Sequence, residues 1–378
     1  MKEQKADVGI ITFHCSNNYG AMLQAYGLKR CLLENGVNAE IVRYEPPFMT
    51  GRHWWIPYAP VKGLKGRIWC MENMWNGFWD HMRRRKEFLG QRANMNRFRN
   101  EFLIKKGQPR YLTTLRFKQL PYRCYVLGSD QIWNPDITCG LRRAYFGAFA
   151  SERKERAVSY AASFGGASLA EKYDKRFQKL LSFVDAVSVR EEAAVSYVQK
   201  FCKGKVTAVL DPVFFLKREA WRKVEHAPCQ ERFIFLYLTE KNQEMAEYAK
   251  RLSAQKKLPV IEVRAGRAGT GMDFFVDRTA GPSEFLGYLS KAEYVVSNSF
   301  HAVAFSIIYE KRFLAFAHRN LGARVRNILE IHGLTDRLYR DETSSIDAPV
   351  DWEEVRRRTR EAAAQSGSFL MDAVRRDR

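Results

Sequence analysis

Short apolar runs of strand length recur along the chain, separated by polar loops and by stretches with helical spacing. The first, Val8–Phe13 (VGIITF), reads as a buried strand. A polar loop, His14–Tyr19, follows. In Gly20–Glu34, residues Met22, Leu23, Tyr26, Leu28, Leu32 and Leu33 approximate one helical stripe, closed by Gly36. Ala39–Tyr44 is the next strand. Pro46–Pro47 interrupts the pattern, which resumes with strands at Cys124–Leu127, Ala157–Ala162, Ala186–Val189 and Val206–Leu210. The second half predicts strands at Phe233–Leu238, Pro259–Val263, Tyr294–Val296 and Phe313–Phe316. Helices near Gln243–Ala254, Pro282–Ser290, Phe300–Tyr309 and Ala323–His332 lie between and after them. Trp352–Arg376 reads as a closing helix, with Glu353 and Glu354 in its first turn, where the helix dipole favours acids.

Strand–helix alternation of this kind builds parallel α/β sheets, and 378 residues suffice for two domains. The predicted division is a Rossmann-like domain over residues 1–205, a second over 206–345 and a helical tail over 346–378. The two domains face a central cleft. Within the first, residues 46–110 form a helical insertion of different composition. Five of the chain's eight tryptophans fall there, namely Trp54, Trp55, Trp69, Trp75 and Trp79. Residues 81–110 add ten Lys/Arg against only Glu87 and Glu101.

That insertion supplies a large share of the formal net charge of +21, a field that favours anionic partners. Its tryptophans suit sugar rings or a lipid–water interface, and its arginines suit anionic headgroups or a polyprenyl diphosphate. A small helical subdomain with buried tryptophans and a solvated basic face fits the same composition. No nucleic-acid-binding motif accompanies the charge, so a specific nucleic-acid partner is not expected. The seven cysteines are scattered without C-x-x-C spacing, and no run approaches the ~20 apolar residues that span a bilayer. A soluble cytoplasmic protein is expected, with at most peripheral contact with an anionic membrane.

In open parallel sheets ligands bind beyond the carboxyl ends of the strands. Four segments lie at such ends. His14–Gly20 (HCSNNYG) places small and amide side chains ahead of a helix N-terminus, where they serve either a ligand or a cap. Cys15 beside His14 lacks the third partner a nucleophile needs. In Gly128–Asn134 (GSDQIWN), Asp130 suits proton transfer or a sugar hydroxyl, and Trp133 offers a flat face to a ring. A Ser129 or Asp130 cap over a core tryptophan is equally compatible. Arg190, at the end of a strand, is shaped for carboxylate or phosphate but has Glu191 and Glu192 beside it. In Ser297–Ser306, small polar residues precede His301 in the first turn of an apolar helix. No P-loop, G-x-G-x-x-G, H-E-x-x-H or G-x-S-x-G motif occurs, which argues against kinase, dinucleotide-dependent, zincin and α/β-hydrolase chemistry.

Seven segments in order, VGIITF…NNYGAMLQAYGL, VLGSDQIWN, SYAASFG, VSVREE, VLDPVFFL, GPSEFL and SNSFHAVAFSIIYEKRF, resemble the polysaccharide pyruvyl transferase family over about residues 8–340. The resemblance implies a GT-B-like fold and transfer of pyruvate from phosphoenolpyruvate to a sugar of a cell-surface glycan or its lipid-linked precursor. A cyclic ketal forms, phosphate is released, and no metal or organic cofactor is required. It further implies His301 as general acid and Asp130 as base or acceptor-binding group. Arg190, with Ser299, Arg324 and Arg326, would bind the donor; Asn17, Asn18, Gln131 and Trp133 would bind the acceptor. Ala302 stands where the family's S-F-H-G has glycine. A nucleotide-sugar-dependent glycosyltransferase on the same fold is the alternative reading.

Overall fold

The structure is a computed structural model, described for residues 6–49, 82–149, 155–265, 269–317 and 322–376. Its strands assort into two all-parallel sheets. The first has six strands in the order β2-β1-β3-β4-β5-β6. These are β1 (Val8–Ile11), β2 (Ala39–Ile41), β3 (Cys124–Asp130), β4 (Arg156–Ala162), β5 (Ala186–Val189) and β6 (Val206–Ala208). The second has five, in the order β11-β10-β7-β8-β9. These are β7 (Ile234–Tyr237), β8 (Val260–Val263), β9 (Phe275–Asp277), β10 (Tyr294–Ser297) and β11 (Arg312–Ala315). Helices cover the sheets, so β1, β7, β8 and β10 are buried along their whole length. This is why they read as unbroken apolar runs rather than alternating ones. The GT-B-like pattern of two parallel-sheet α/β units facing one another is present.

Three boundaries differ from the sequence reading. β6 pairs in parallel with β5, Val187 opposite Val206, so the first unit includes a strand the sequence division gave to the second. β3 runs on to Asp130, with Gly128 opposite Tyr160. A side chain at Gly128 is excluded twice over: its φ is +122°, and an added Cβ would lie 2.2 Å from the Tyr160 carbonyl oxygen. The closing helix, Trp352–Arg375, is no free tail. It returns to the first unit, where Arg123 Nη1 donates to Val374 O (3.1 Å), Arg375 Nη2 to Asn35 O (2.8 Å), and Ser366 Oγ accepts from Leu210 N–H (3.0 Å).

One hydrophobic core runs through both units. The first helix, Tyr19–Glu34, carries it across: Tyr19 stacks on Phe285 at 5.0 Å, and its hydroxyl donates to Ala280 O at 3.1 Å. The insertion's tryptophans lie outside the described residues. Its described part is a helix, Arg85–Phe98, with Gln91, Met95 and Phe98 turned inward. This helix also bridges the units, since Gln91 Nε2 donates to Arg264 O (3.0 Å) and Asn94 Nδ2 to Thr279 O (2.9 Å). Among the described residues, no helix is long and apolar enough to cross a membrane.

Candidate active site

In both sheets strand order reverses beside the first strand of the unit, between β1 and β3 and between β7 and β10. Such reversals open a crevice at the carboxyl ends of the strands. The two crevices face each other. Asn18, Asp130 and Gln131 line the cleft from the first unit; Thr239, Asn298, Ser299, His301 and Arg324 line it from the second.

His301 sits in the first turn of the helix Phe300–Ile308, which follows β10. Its ring is packed flat against Gly20 in the first turn of the opposing helix: a Cβ added at Gly20 would lie 1.9 Å from His301 Nδ1 and 2.3 Å from Cγ. Nε2 is buried and faces Asp211 Oδ2 at 3.7 Å, beyond hydrogen-bond length. Nδ1 is the ring atom nearest Gly20. Gly20→Ala must therefore push the imidazole off its seat. A misplacement of about 1 Å costs on the order of a hundredfold in turnover, so kcat for Gly20→Ala is expected to fall by about that factor with the fold intact. Steady-state kinetics alongside circular dichroism checks this.

Asp211 follows β6 and is fully buried. Its Oδ1 accepts from Val213 N–H (3.2 Å), capping the turn at Pro212; its Oδ2 accepts from Arg190 Nη1 (2.9 Å) and Ser129 Oγ (3.4 Å). Burial alone would raise this carboxyl, but the His301 imidazole and the Arg190 guanidinium more than offset it and hold it at about 2. Arg190, at the end of β5, also meets Glu191 Oε1 at 3.4 Å and Asp130 Oδ1 at 3.8 Å. Burial opposes its charge, and these three carboxylates outweigh burial and raise its pKa. Its Nη2 has no hydrogen-bond partner, and neither has Nε of Arg324, which is also buried. Burial first, then the neighbouring Arg190, lowers Arg324 to about 10, so it remains a cation at neutral pH. The two guanidiniums flank the Phe300 ring, their Cζ atoms 4.9 and 5.9 Å from its centroid.

Asp130 is held at φ +81°, a strained conformation for a non-glycine residue, and its Oδ1 accepts from Gln131 N–H at 2.8 Å. Asn18 caps the first helix by accepting from Ala21 N–H at 3.1 Å, and it lines the cleft as well. Gln131 lies beside it, its Oε1 accepting from Asn134 Nδ2 at 2.9 Å. Ser299 lines the cleft at the N-terminus of the His301 helix without capping it.

Three expected site residues stand elsewhere. Arg326 is exposed, because two residues along a helix from the buried Arg324 is nearly its opposite face. Asn17 is exposed and is not among the residues lining the cleft. Trp133 offers no face to a sugar: it is fully buried, stacked on Phe146 at 5.3 Å, with its indole N–H donating to Tyr145 O at 3.0 Å. Trp133→Phe is accordingly expected to leave the acceptor KM unchanged. It should lower stability by about 1–3 kcal/mol through the buried Tyr145 carbonyl left unpaired, as urea unfolding would show. Cys15 is no nucleophile, since burial pushes its thiol up to about 12 and it points at Tyr44 O. Ala302 belongs to the core and is absent from the cleft lining. Among the described residues, no group of three His, Cys, Asp or Glu side chains is placed to hold a metal.

Sequence reasoning missed Asp211, Gly20 and Phe300 as site residues. The signal for Asp211 was an Asp-Pro pair directly after a strand.

A family model described as polysaccharide pyruvyl transferase matches residues 18–320, most of the chain and all of the cleft lining except Arg324 and Val325. The chain belongs to the polysaccharide pyruvyl transferase family. No match is found among curated proteins. Among solved structures, this pyruvyl transferase family member is similar at low identity to two UDP-GlcNAc 2-epimerases and an O-GlcNAc transferase, among others. Against UDP-GlcNAc 2-epimerase from Neisseria meningitidis bound to UDP-GlcNAc, the TM-score is 0.49 at 9% identity, over 98% of this chain and 99% of that one. Against the Methanocaldococcus jannaschii UDP-GlcNAc 2-epimerase in complex with UDP-GlcNAc and UDP, it is 0.46 at 10%, over 98% and 99%. Against a Thermobaculum terrenum O-GlcNAc transferase mutant, it is 0.46 at 11%, over 98% and 67%.

Proposed function

We propose that this transferase moves pyruvate from phosphoenolpyruvate to two hydroxyls of one sugar in a cell-surface polysaccharide or its lipid-linked precursor, making a cyclic ketal. The observation that carries the reading is the convergence, at one cleft, of a carboxylate-backed histidine with the buried guanidinium of Arg324, and of Arg190 buried directly behind Asp130 of the cleft wall, each guanidinium keeping an N–H without an acceptor. A donor bearing both a carboxylate and a phosphate needs two such cations. A reaction that begins by protonating a carbon needs a positioned acid.

His301 delivers a proton to the enol methylene, which becomes a methyl group and leaves an oxocarbenium at C2. A sugar hydroxyl adds to C2 and gives up its proton, which restores His301. The C2–O bond to phosphate then breaks, its electron pair going to the departing phosphate oxygen and leaving an oxocarbenium at C2 again. The second hydroxyl closes on C2, and its proton goes to that phosphate. Asp130, at the cleft wall beside Gln131, is the base that takes the second hydroxyl's proton and relays it to the departing phosphate. Arg190 and Arg324 hold the donor's anionic ends, and Ser299 supplies a hydroxyl at the helix N-terminus.

The test measures phosphate release from phosphoenolpyruvate over a panel of free and lipid-linked sugars, with mass spectrometry of the product. Release coupled to a pyruvyl mass gain is expected with at least one acceptor. Thermal stabilisation by a nucleoside diphosphate and none by phosphoenolpyruvate would overturn the reading in favour of a nucleotide-sugar glycosyltransferase.

A further inference from the structure

The helix Arg85–Phe98 turns one face inward and leaves the other to solvent. The outward stripe, together with the residues just before the helix, carries two large apolar side chains, Met82 (49% exposed) and Leu89 (54% exposed). Around them stand Arg83, Arg85, Lys86 and Arg92, all exposed. Among the described residues none of these four cations makes an ion pair. The nearby acid Glu87 is turned to Arg278 on the second unit, at 3.6 Å. The basic face is thus uncompensated, and it surrounds apolar groups that a merely soluble helix has no reason to display together. The helix is fixed rather than loose, since it is bound to the second unit through Gln91 and Asn94. At its end, Arg99 Nε and Nη2 donate to the carbonyls of His14 (3.3 Å) and Cys15 (3.2 Å), in the loop that leads to the cleft. The chain entering the helix, residues 50–81, holds five of the eight tryptophans, the residue type most favoured at a lipid–water interface.

The geometry points to the outward face of this helix as a docking surface for an anionic lipid bilayer, held by Arg83, Arg85, Lys86 and Arg92 at the headgroups and by Met82 and Leu89 below them. Charge complementarity favours anionic headgroups, and the exposed apolar pair favours a bilayer over a purely ionic polymer. The inference is independent of the donor chemistry.

The full chain is tested by sedimentation with vesicles of phosphatidylcholine alone and of phosphatidylcholine with phosphatidylglycerol. Binding to the anionic vesicles only, weakening with salt, is expected. Each basic residue near such a surface is worth about fivefold in partitioning. Arg85→Gln with Lys86→Gln together should therefore weaken binding about twenty-five-fold. Leu89→Gln should remove a further part that salt does not affect. None of these variants should alter turnover of a soluble acceptor. Wild-type protein that stays in the supernatant, or variants that bind as wild type does, overturn the proposal. So does binding to heparin as tight as to anionic vesicles with no loss in Leu89→Gln, which would make the face a general polyanion site.

Discussion

His301→Asn lowers phosphate release from phosphoenolpyruvate by about 10²–10⁴-fold, the range a positioned general acid supplies, while the donor still binds. The expectation rests on how completely the ring is placed. Gly20 covers its face and Asp211 faces Nε2 at 3.7 Å. Asparagine fits the same space but has no proton to give a carbon. The two guanidiniums proposed to bind the donor's anionic ends are untouched. Calorimetric titration with phosphoenolpyruvate should return a dissociation constant near that of the wild type, so the loss falls on kcat. Wild-type turnover in this variant would remove His301 as the acid.

Arg190→Met carries the second large effect, and it is twofold. Donor affinity falls with the loss of one cationic clamp. Stability falls by about 3–5 kcal/mol, because removing one member of a buried ionic cluster strands the others. Here the stranded groups are Asp211, Glu191 and Asp130. Asp211 sets the pH dependence. Its folded value near 2 lies below the ordinary 3.8, so in the wild type its contribution is full above about pH 4 and is lost as the pH falls through 2. In Arg190→Met the carboxylate loses the guanidinium that helps offset its burial, so its folded value rises and protonation relieves rather than removes stabilisation. The stability gap between the two proteins should therefore narrow as the pH falls from neutral toward 4. Urea unfolding at the two ends of that range measures it. Arg190→Lys should recover part of the stability but little of the donor affinity, since an ammonium keeps the charge without the planar fork.

Much of the fold was legible because buried parallel strands are apolar on both faces. VGIITF, FIFLYL and YVV are such runs, and each became a central strand. β9, Phe275–Asp277, was not legible: it is a short edge strand with Phe275 exposed, and FVD carries no alternation. Nor does a strand's composition say which sheet it joins, and β6 was misassigned for that reason. In the site, position at a strand end singled out Asp130 and His301, which line the cleft, and Arg190, which is buried against Asp130 and is not among the lining residues. Sequence alone could not say which way a side chain turns there. Trp133 and Arg326 have the right chemistry and the wrong orientation, one locked in the core by its ring stacking and the other carried round the helix from Arg324. Asp211 is the reverse case. Only the approach of the two units brings it to His301.

That last contact joins opposite halves of the molecule. The imidazole rides on the second half, and its carboxylate and its glycine seat ride on the first. Any parting of the halves withdraws the acid from both supports at one stroke, as a safety catch does. On the proposed chemistry, a donor held in a parted cleft would meet no positioned proton source.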